Sequence, residues 1–263
     1  MIARCASAPG KVVLSGEYAV LDGAPAVCMA VDRRAIARVS ACGGDWHRVT
    51  APGYTDVEGR FLQRGEDVEW LQGKVEFELV DAALRTIEFS PTTVLSIELD
   101  TRAFHDVQTG DKIGVGSSAA LAVALLAALQ DTQEVFDDSL SAHRRLQHGA
   151  GSGVDIAAAV HGGILEYRMC DARVTQLAWP DGLDYRLVWT GTPADTREKL
   201  ARLDQVRDDD SSRQLVDAAA RIAAAWQSAD ALMQAYPVYI EQLRKFSVDH
   251  DLGIFDAGHD ELV

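Results

Sequence analysis

The stretch KIGVGSSAALAVALLAAL, Lys112 to Leu129, sets Gly114, Gly116, Ser117 and Ser118 directly ahead of an almost unbroken run of small and aliphatic residues. From Ser117 to Gln130 the pattern predicts one helix, apolar on every side, and such a helix belongs inside a protein. Its burial would hold the hydroxyl-rich loop at its start rigidly in place. A helix N-terminus offers unpaired amides and the positive end of the macrodipole, and glycines let an anion approach the backbone there. Gly114, Val115, Gly116, Ser117, Ser118 and Ala119 therefore form a candidate phosphate cradle, with both serine hydroxyls able to bond phosphate or a metal ion. The spacing is neither the P-loop G-x-x-x-x-G-K-[ST] nor the dinucleotide G-x-G-x-x-G. A glycine-serine turn that merely precedes a core helix is the plain alternative.

The chain has 263 residues, 48% of them hydrophobic, enough for one large domain or two ordinary ones with real cores. Its net charge of −15 argues against nucleic acid or an anionic membrane as a partner, because both select positive surfaces. An anionic ligand would have to be held by local cations and backbone amides. The N-terminal MIARCASAPGKVVLSGEY lacks the apolar core of a secretion signal, and no apolar run reaches membrane length, so a cytoplasmic protein is expected. Cys5, Cys28, Cys42 and Cys170 are scattered without a C-x-x-C pair, which predicts reduced thiols rather than a disulfide framework or zinc site.

Short β-rich runs, KVVLSGEYAVL and TTVLSIELD, precede the long helix. A second glycine cluster, HGAGSGVDIAAAVHGGILEYR, repeats the layout of turn, small-residue helix and strand, the strand ending near Arg168. It places Asp155 at the start of a helix. DYRLVWTGTPADTREKL reads as strand, turn and helix start, with Thr192 or Asp195 as N-cap. Ser211 to Phe246 reads as helical, interrupted at Pro237, and a domain boundary is expected near residue 170. Lys11 follows a predicted Pro-Gly turn, and Glu17 and Tyr18 sit at a second turn. The segment AHRRLQHG offers His143, Arg144, Arg145 and His148 just before the second glycine turn, and Arg197 is a further cation. A solvated surface charge is the plain alternative for each.

Three segments, SAPGKVVLSGEYAVLDGAPAV, KIGVGSSAALAVAL and GSGVDIAAAVHGG, taken together and in this order, resemble the GHMP kinases, the family of galactokinase, homoserine kinase, mevalonate kinase and phosphomevalonate kinase. The resemblance runs from about Ser7 to Arg168, and less distinctively through TGTPADTRE. The segments look most like the phosphomevalonate kinase branch; mevalonate kinases tend to carry histidine where this chain has Tyr18.

The resemblance implies an α+β fold of two domains. Residues 1–170 would be the N-terminal ATP-binding domain, a mixed sheet with a left-handed βαβ phosphate loop. Residues 171–263 would be a ferredoxin-like C-terminal domain, expected to be truncated before the family's third glycine-rich motif. The implied activity is phosphoryl transfer from ATP to mevalonate 5-phosphate, with Mg2+ as the required ion, and a homodimer is one assembly to test. Lys11 and Asp155 would be the catalytic pair, and residues 114–119 the nucleotide loop. Glu17, Tyr18, Arg144, Arg145, His148, Ser152, Gly153 and Arg197 would meet the acceptor.

Phosphoryl transfer rests mostly on positioning and charge neutralisation. Lys11 would supply the charge. A phosphate acceptor with a second pKa of about 6 is already mostly ionised at neutral pH, so Asp155 would orient Lys11 and the acceptor rather than act as a base. Mevalonate kinases have a glutamate metal ligand upstream of the catalytic aspartate, whereas SAHRRLQHG contains no acid. Ser118 is therefore the expected protein ligand, with nucleotide phosphates, water and Asp155. A kinase acting on mevalonate or another small alcohol, and a nucleotide-binding protein without catalysis, remain alternatives.

Overall fold

In Leu95–Asp100, Leu95, Ile97 and Leu99 are buried while the residues between them are half-exposed, the period-two pattern of a strand with one face on a core. The computed structural model describes residues 3–256 apart from 66, 88, 148, 150 and 192–208. These residues divide into two units, one made of Met1–Lys11 with Ala30–Gly162 and one of Val12–Met29 with Gly163–Val263.

In the first unit the strands β2 (Ala26–Ala41), β3 (His47–Ala51), β4 (Thr55–Arg64), β5 (Asp67–Gln72) and β6 (Leu95–Asp100) run in the order β5-β4-β3-β6-β2. β3 pairs with β6 in parallel and the other neighbours are antiparallel, so the sheet is mixed. β1 (Ala3–Ser15) pairs with β2 off this path. The helices are α1 (Glu78–Leu84), α2 (Ser117–Gln130), α3 (Phe136–Leu146) and α4 (Val154–His161). The helix predicted over Ser117–Gln130 is α2, with those bounds. It packs against α1, α3 and α4, and Ala119, Ala120, Ala124, Leu125 and Leu126 have no solvent exposure.

The second unit holds a short 3-10 helix (Ala19–Asp22), the first residues of β2, β7 (Ile164–Arg168), β8 (Arg173–Leu177), α5 (Asp210–Ala225) and α6 (Ala229–Asp249). β2 pairs antiparallel with β7 through Ala26–Met29, and β7 with β8. Ala19, Val27, Leu215, Ile222, Trp226, Tyr239, Leu243 and Phe246 form its core. Among the described residues no helix is long and apolar enough to cross a membrane, and all four cysteines are free thiols.

Two local expectations are corrected. No turn forms at Pro9 and Gly10, because β1 runs unbroken through them from Ala3 to Ser15. The helical break near the C-terminus falls at Trp226–Ser228 rather than at Pro237. There the Ser228 hydroxyl caps a new helix by accepting from Ala231 N at 3.3 Å, and α6 continues through the proline. The predicted N-caps Thr192 and Asp195 lie outside the described residues.

His47 is a buried polar group in the first core. Its ring stacks on Phe61 with centroids 4.8 Å apart, and its Nδ1 accepts from Leu95 N at 3.0 Å. Burial lowers its pKa from the ordinary 6.5, since charging the ring would cost solvation. The unfolded chain then takes up a proton near pH 6.5 that the folded chain refuses, so the contribution of His47 to stability falls as pH drops below 6.5. Thermal melts from pH 7.5 to 5.0 should show wild type losing more Tm than His47→Gln; parallel curves for the two would mean that His47 is protonated in the fold.

Candidate active site

The first helical residue of α2 follows Gly116, whose φ of 79° and ψ of 37° lie in the left-handed region. A side chain is costly there, and a Cβ would also stand 3.1 Å from Lys11 Cγ and 3.3 Å from Lys11 Cε. The preceding carbonyl, Val115 O, accepts from Lys11 N at 2.9 Å, which lays the loop along β1. No side chain caps the N-terminus of α2. Its first-turn amides and the positive end of a helix buried along most of its length are thus set beside Lys11.

Lys11 Nζ also forms an ion pair with Asp155 Oδ1 at 2.9 Å, the side chains being 18% and 31% exposed. Asp155 stands in the first turn of α4, which starts from Gly153, again left-handed at φ 93°. Ser152 Oγ accepts from Val154 N at 3.4 Å and shapes that turn. Lys11 therefore touches both glycine turns, one through its stem and backbone and the other through its ammonium. The pair is sheltered yet still open to a ligand.

Ser118 has a partner that the sequence placed among the cations. His143 is buried on α3, and its Nε2 lies 3.2 Å from Ser118 Oγ. Helical spacing carried the signal, since Ser139, Leu140 and His143 fall on one buried face of α3. Arg144 is half-buried, and its Nε donates to Gly151 O at 3.3 Å while its own carbonyl accepts from Gly149 N at 2.8 Å. It braces the second glycine turn. Arg145 is exposed, and His148 and Arg197 lie outside the described residues.

Glu17 and Tyr18 belong to the second unit. Tyr18 takes the unusual φ of 63°, and its phenol is pushed up to about 12 by burial and then by the Glu17 carboxylate. Among the described residues no group of three or more His, Cys, Asp or Glu could hold a metal ion. The oxygen donors expected for a metal, the Ser118 hydroxyl and the Asp155 carboxylate, each carry one bond to a neighbouring side chain, His143 and Lys11. That sparse set fits Mg2+, which keeps several waters and takes most of its remaining ligands from phosphates.

The span from α1 through α4, with both glycine turns and Asp155, coincides with a family model. Residues 80–163 match the GHMP kinases N terminal domain. These residues are a GHMP kinase N-terminal domain. Over 243 aligned residues the chain is 29% identical to phosphomevalonate kinase from Streptomyces sp. strain CL190, covering 74% of this chain and 64% of that protein. It is 28% identical to mevalonate kinase from Pyrococcus horikoshii, covering 74% of this chain and 59% of that protein. The chain thus spans roughly three-fifths of the length of these relatives. A structure of Streptococcus pneumoniae phosphomevalonate kinase in complex with phosphomevalonate and AMPPNP superposes with a TM-score of 0.73 at 16% identity, covering 95% of this chain and 82% of that one. The fold is the two-domain α+β fold of GHMP kinases.

Gly116→Val places a β-branched residue at positive φ against Lys11, and should lower stability by about 1–3 kcal/mol. It should also weaken nucleotide binding by displacing the loop. Denaturant titration together with calorimetric titration of ATP reads both, and unchanged values would place the phosphate cradle away from Gly116.

Proposed function

We propose that this chain is an ATP-dependent kinase that phosphorylates mevalonate 5-phosphate to the 5-diphosphate. The observation that carries the reading is the 2.9 Å pair between Lys11 and Asp155, with Lys11 packed against the glycine that opens α2. The identity to a phosphomevalonate kinase supports the choice of acceptor.

On this reading an oxygen of the acceptor phosphate attacks the γ-phosphorus of ATP, the bond to the bridging β,γ-oxygen breaks, and ADP leaves with that electron pair. The amides of Ser117, Ser118 and Ala119 bind the nucleotide phosphates at the positive end of α2. Lys11 holds positive charge against the oxygens that gain charge as the group moves. Asp155 fixes the Lys11 ammonium and the acceptor in line. It takes no proton, because the acceptor phosphate has already lost its own. Ser118 and Asp155 would contribute oxygens to Mg2+, whose charge neutralises the phosphates when it is bound. The Ser118 hydroxyl is held by the buried His143 ring, which fixes where its oxygen points.

A second reading, with mevalonate as acceptor, draws on the identity to a mevalonate kinase and on the two arginines. Arg144 is engaged by Gly151 O and Arg145 is exposed, which favours a scaffold or surface role for both on this reading. Coupled ADP-release assays with mevalonate and with mevalonate 5-phosphate separate the two readings, the preferred acceptor being the one with the higher kcat/KM. If the arginines read the second phosphate, replacing both with Ala raises the KM for mevalonate 5-phosphate about tenfold or more, since a charge-assisted bond to phosphate contributes about 1.5–3 kcal/mol. The KM for ATP should stay nearly constant. An unchanged acceptor KM would make both arginines scaffold residues.

Lys11→Met should retain ATP binding while kcat falls by a factor of about 10² or more, the range for loss of one charge-stabilising group. Retention of more than a tenth of wild-type kcat would remove Lys11 from the transition state.

A further inference from the structure

The turn that carries Glu17 and Tyr18 is held from the far end of the chain. Gly16 sits at φ 86° with no room for a side chain, since a Cβ would meet Pro25 O at 2.5 Å. Tyr18 follows at φ 63°, a conformation that a bulky residue keeps only when its surroundings enforce it. Local bonds close the turn, Val20 N donating to Gly16 O at 3.0 Å and Ala19 N to Glu17 O at 2.7 Å. The side-chain contacts come from α6.

The Tyr239 hydroxyl accepts from Gly16 N at 2.9 Å and donates to the Glu17 carboxylate at Oε2, while its ring is 1% exposed. Tyr236, one turn earlier on the same face of α6, donates to Leu14 O. The Tyr18 ring packs 5.9 Å from Phe246, also on α6. Three side chains of one helix thus grip a five-residue segment, but only Tyr239 bonds both the backbone and the acid of the turn. Phe in its place would keep the packing and remove both bonds. Glu17 itself stays half-buried, so its carboxylate is oriented without being sealed from solvent.

We propose that Tyr239 is the positioning residue for acceptor binding: through its hydroxyl it fixes the Glu17 carboxylate and the left-handed turn at Tyr18 in the conformation that meets the acceptor. The proposal rests on the kinase reading for the acceptor and for its contact with Glu17 and Tyr18, and on this buried bonding pattern for the role of Tyr239. It predicts that Tyr239 acts through this turn, on the Glu17 carboxylate and on the Gly16 amide. Tyr236, whose partner is a strand carbonyl, should contribute stability and no acceptor affinity.

The experiment titrates mevalonate 5-phosphate calorimetrically into the full chain, so that binding is read whether or not turnover follows. Tyr239→Phe should raise the acceptor Kd about fivefold or more, as loss of a bond to a charged group implies, and should leave the ATP Kd within about twofold. Tyr236→Phe should lower Tm comparably and leave the acceptor Kd unchanged. In the double variant Glu17→Ala with Tyr239→Phe, the two effects on the acceptor Kd should be less than additive, because Tyr239 has already lost one of its two partners when the carboxylate is gone. Hydrogen exchange at the Gly16 amide should quicken in Tyr239→Phe, independently of any ligand. An unchanged acceptor Kd in Tyr239→Phe, additive effects in the double variant, or an equal rise in Tyr236→Phe would each overturn the proposal. Wild-type protein that binds the acceptor without turnover would sink the kinase reading and leave Tyr239 in its role; wild-type protein that binds no acceptor would sink both.

Discussion

A helix without a polar face has to be surrounded, and α2 imposes that requirement on the first unit. Its alanines and leucines are buried between the sheet and helices α1, α3 and α4, and they are small enough to let those helices approach closely. The loop from Gly114 to Gly116 is consequently anchored by a large apolar area at one end and by the Lys11 backbone at the other. On the proposed function, binding a phosphate there would need little ordering of the protein, because the amides are already aimed. The charge balance follows the same logic. A chain with net charge −15 repels anions at long range, so affinity has to come from a local group of donors held too firmly to relax.

Much of the site was legible because its signals are local. Two glycines and two serines before an apolar run define α2 and its loop, and GSGVD defines the start of α4 with Asp155 in its first turn. What could not be read locally is which of these segments touch. Lys11 and Asp155 are separated by most of the first unit, and only the pairing of β1 with β2 and the packing of α4 on α2 bring them to 2.9 Å. Pro9-Gly10 misled for a physical reason. Those residue types favour turns in isolation, but pairing and burial keep them extended along β1.

His143 and Tyr239 show the other limit. Next to two arginines His143 reads as a surface cation, and its helical register places it instead on the buried face of α3, against Ser118. Tyr239 lies 222 residues from Glu17, so no window of sequence connects them. The helix that carries it was legible, whereas its partner was not. A proline within a helical pattern predicts a break because it removes an amide donor, yet α6 runs through Pro237, with Tyr236 and Tyr239 on either side of it bonded to the N-terminal segment.

The grip on Glu17 also determines how the second unit meets alkali. Tyr18, Tyr236 and Tyr239 resist ionisation, each chiefly through burial and next through the negative charge of Glu17. In an unfolded chain the same phenols lose their protons near pH 10. Above that pH the unfolded form is favoured by every proton the fold refuses to release, and three such groups share one small cluster. Their ionisation would put up to three further negative charges around an existing carboxylate. In a phenolate absorbance titration these three would therefore ionise together, with the loss of the Glu17 turn as the event that releases them.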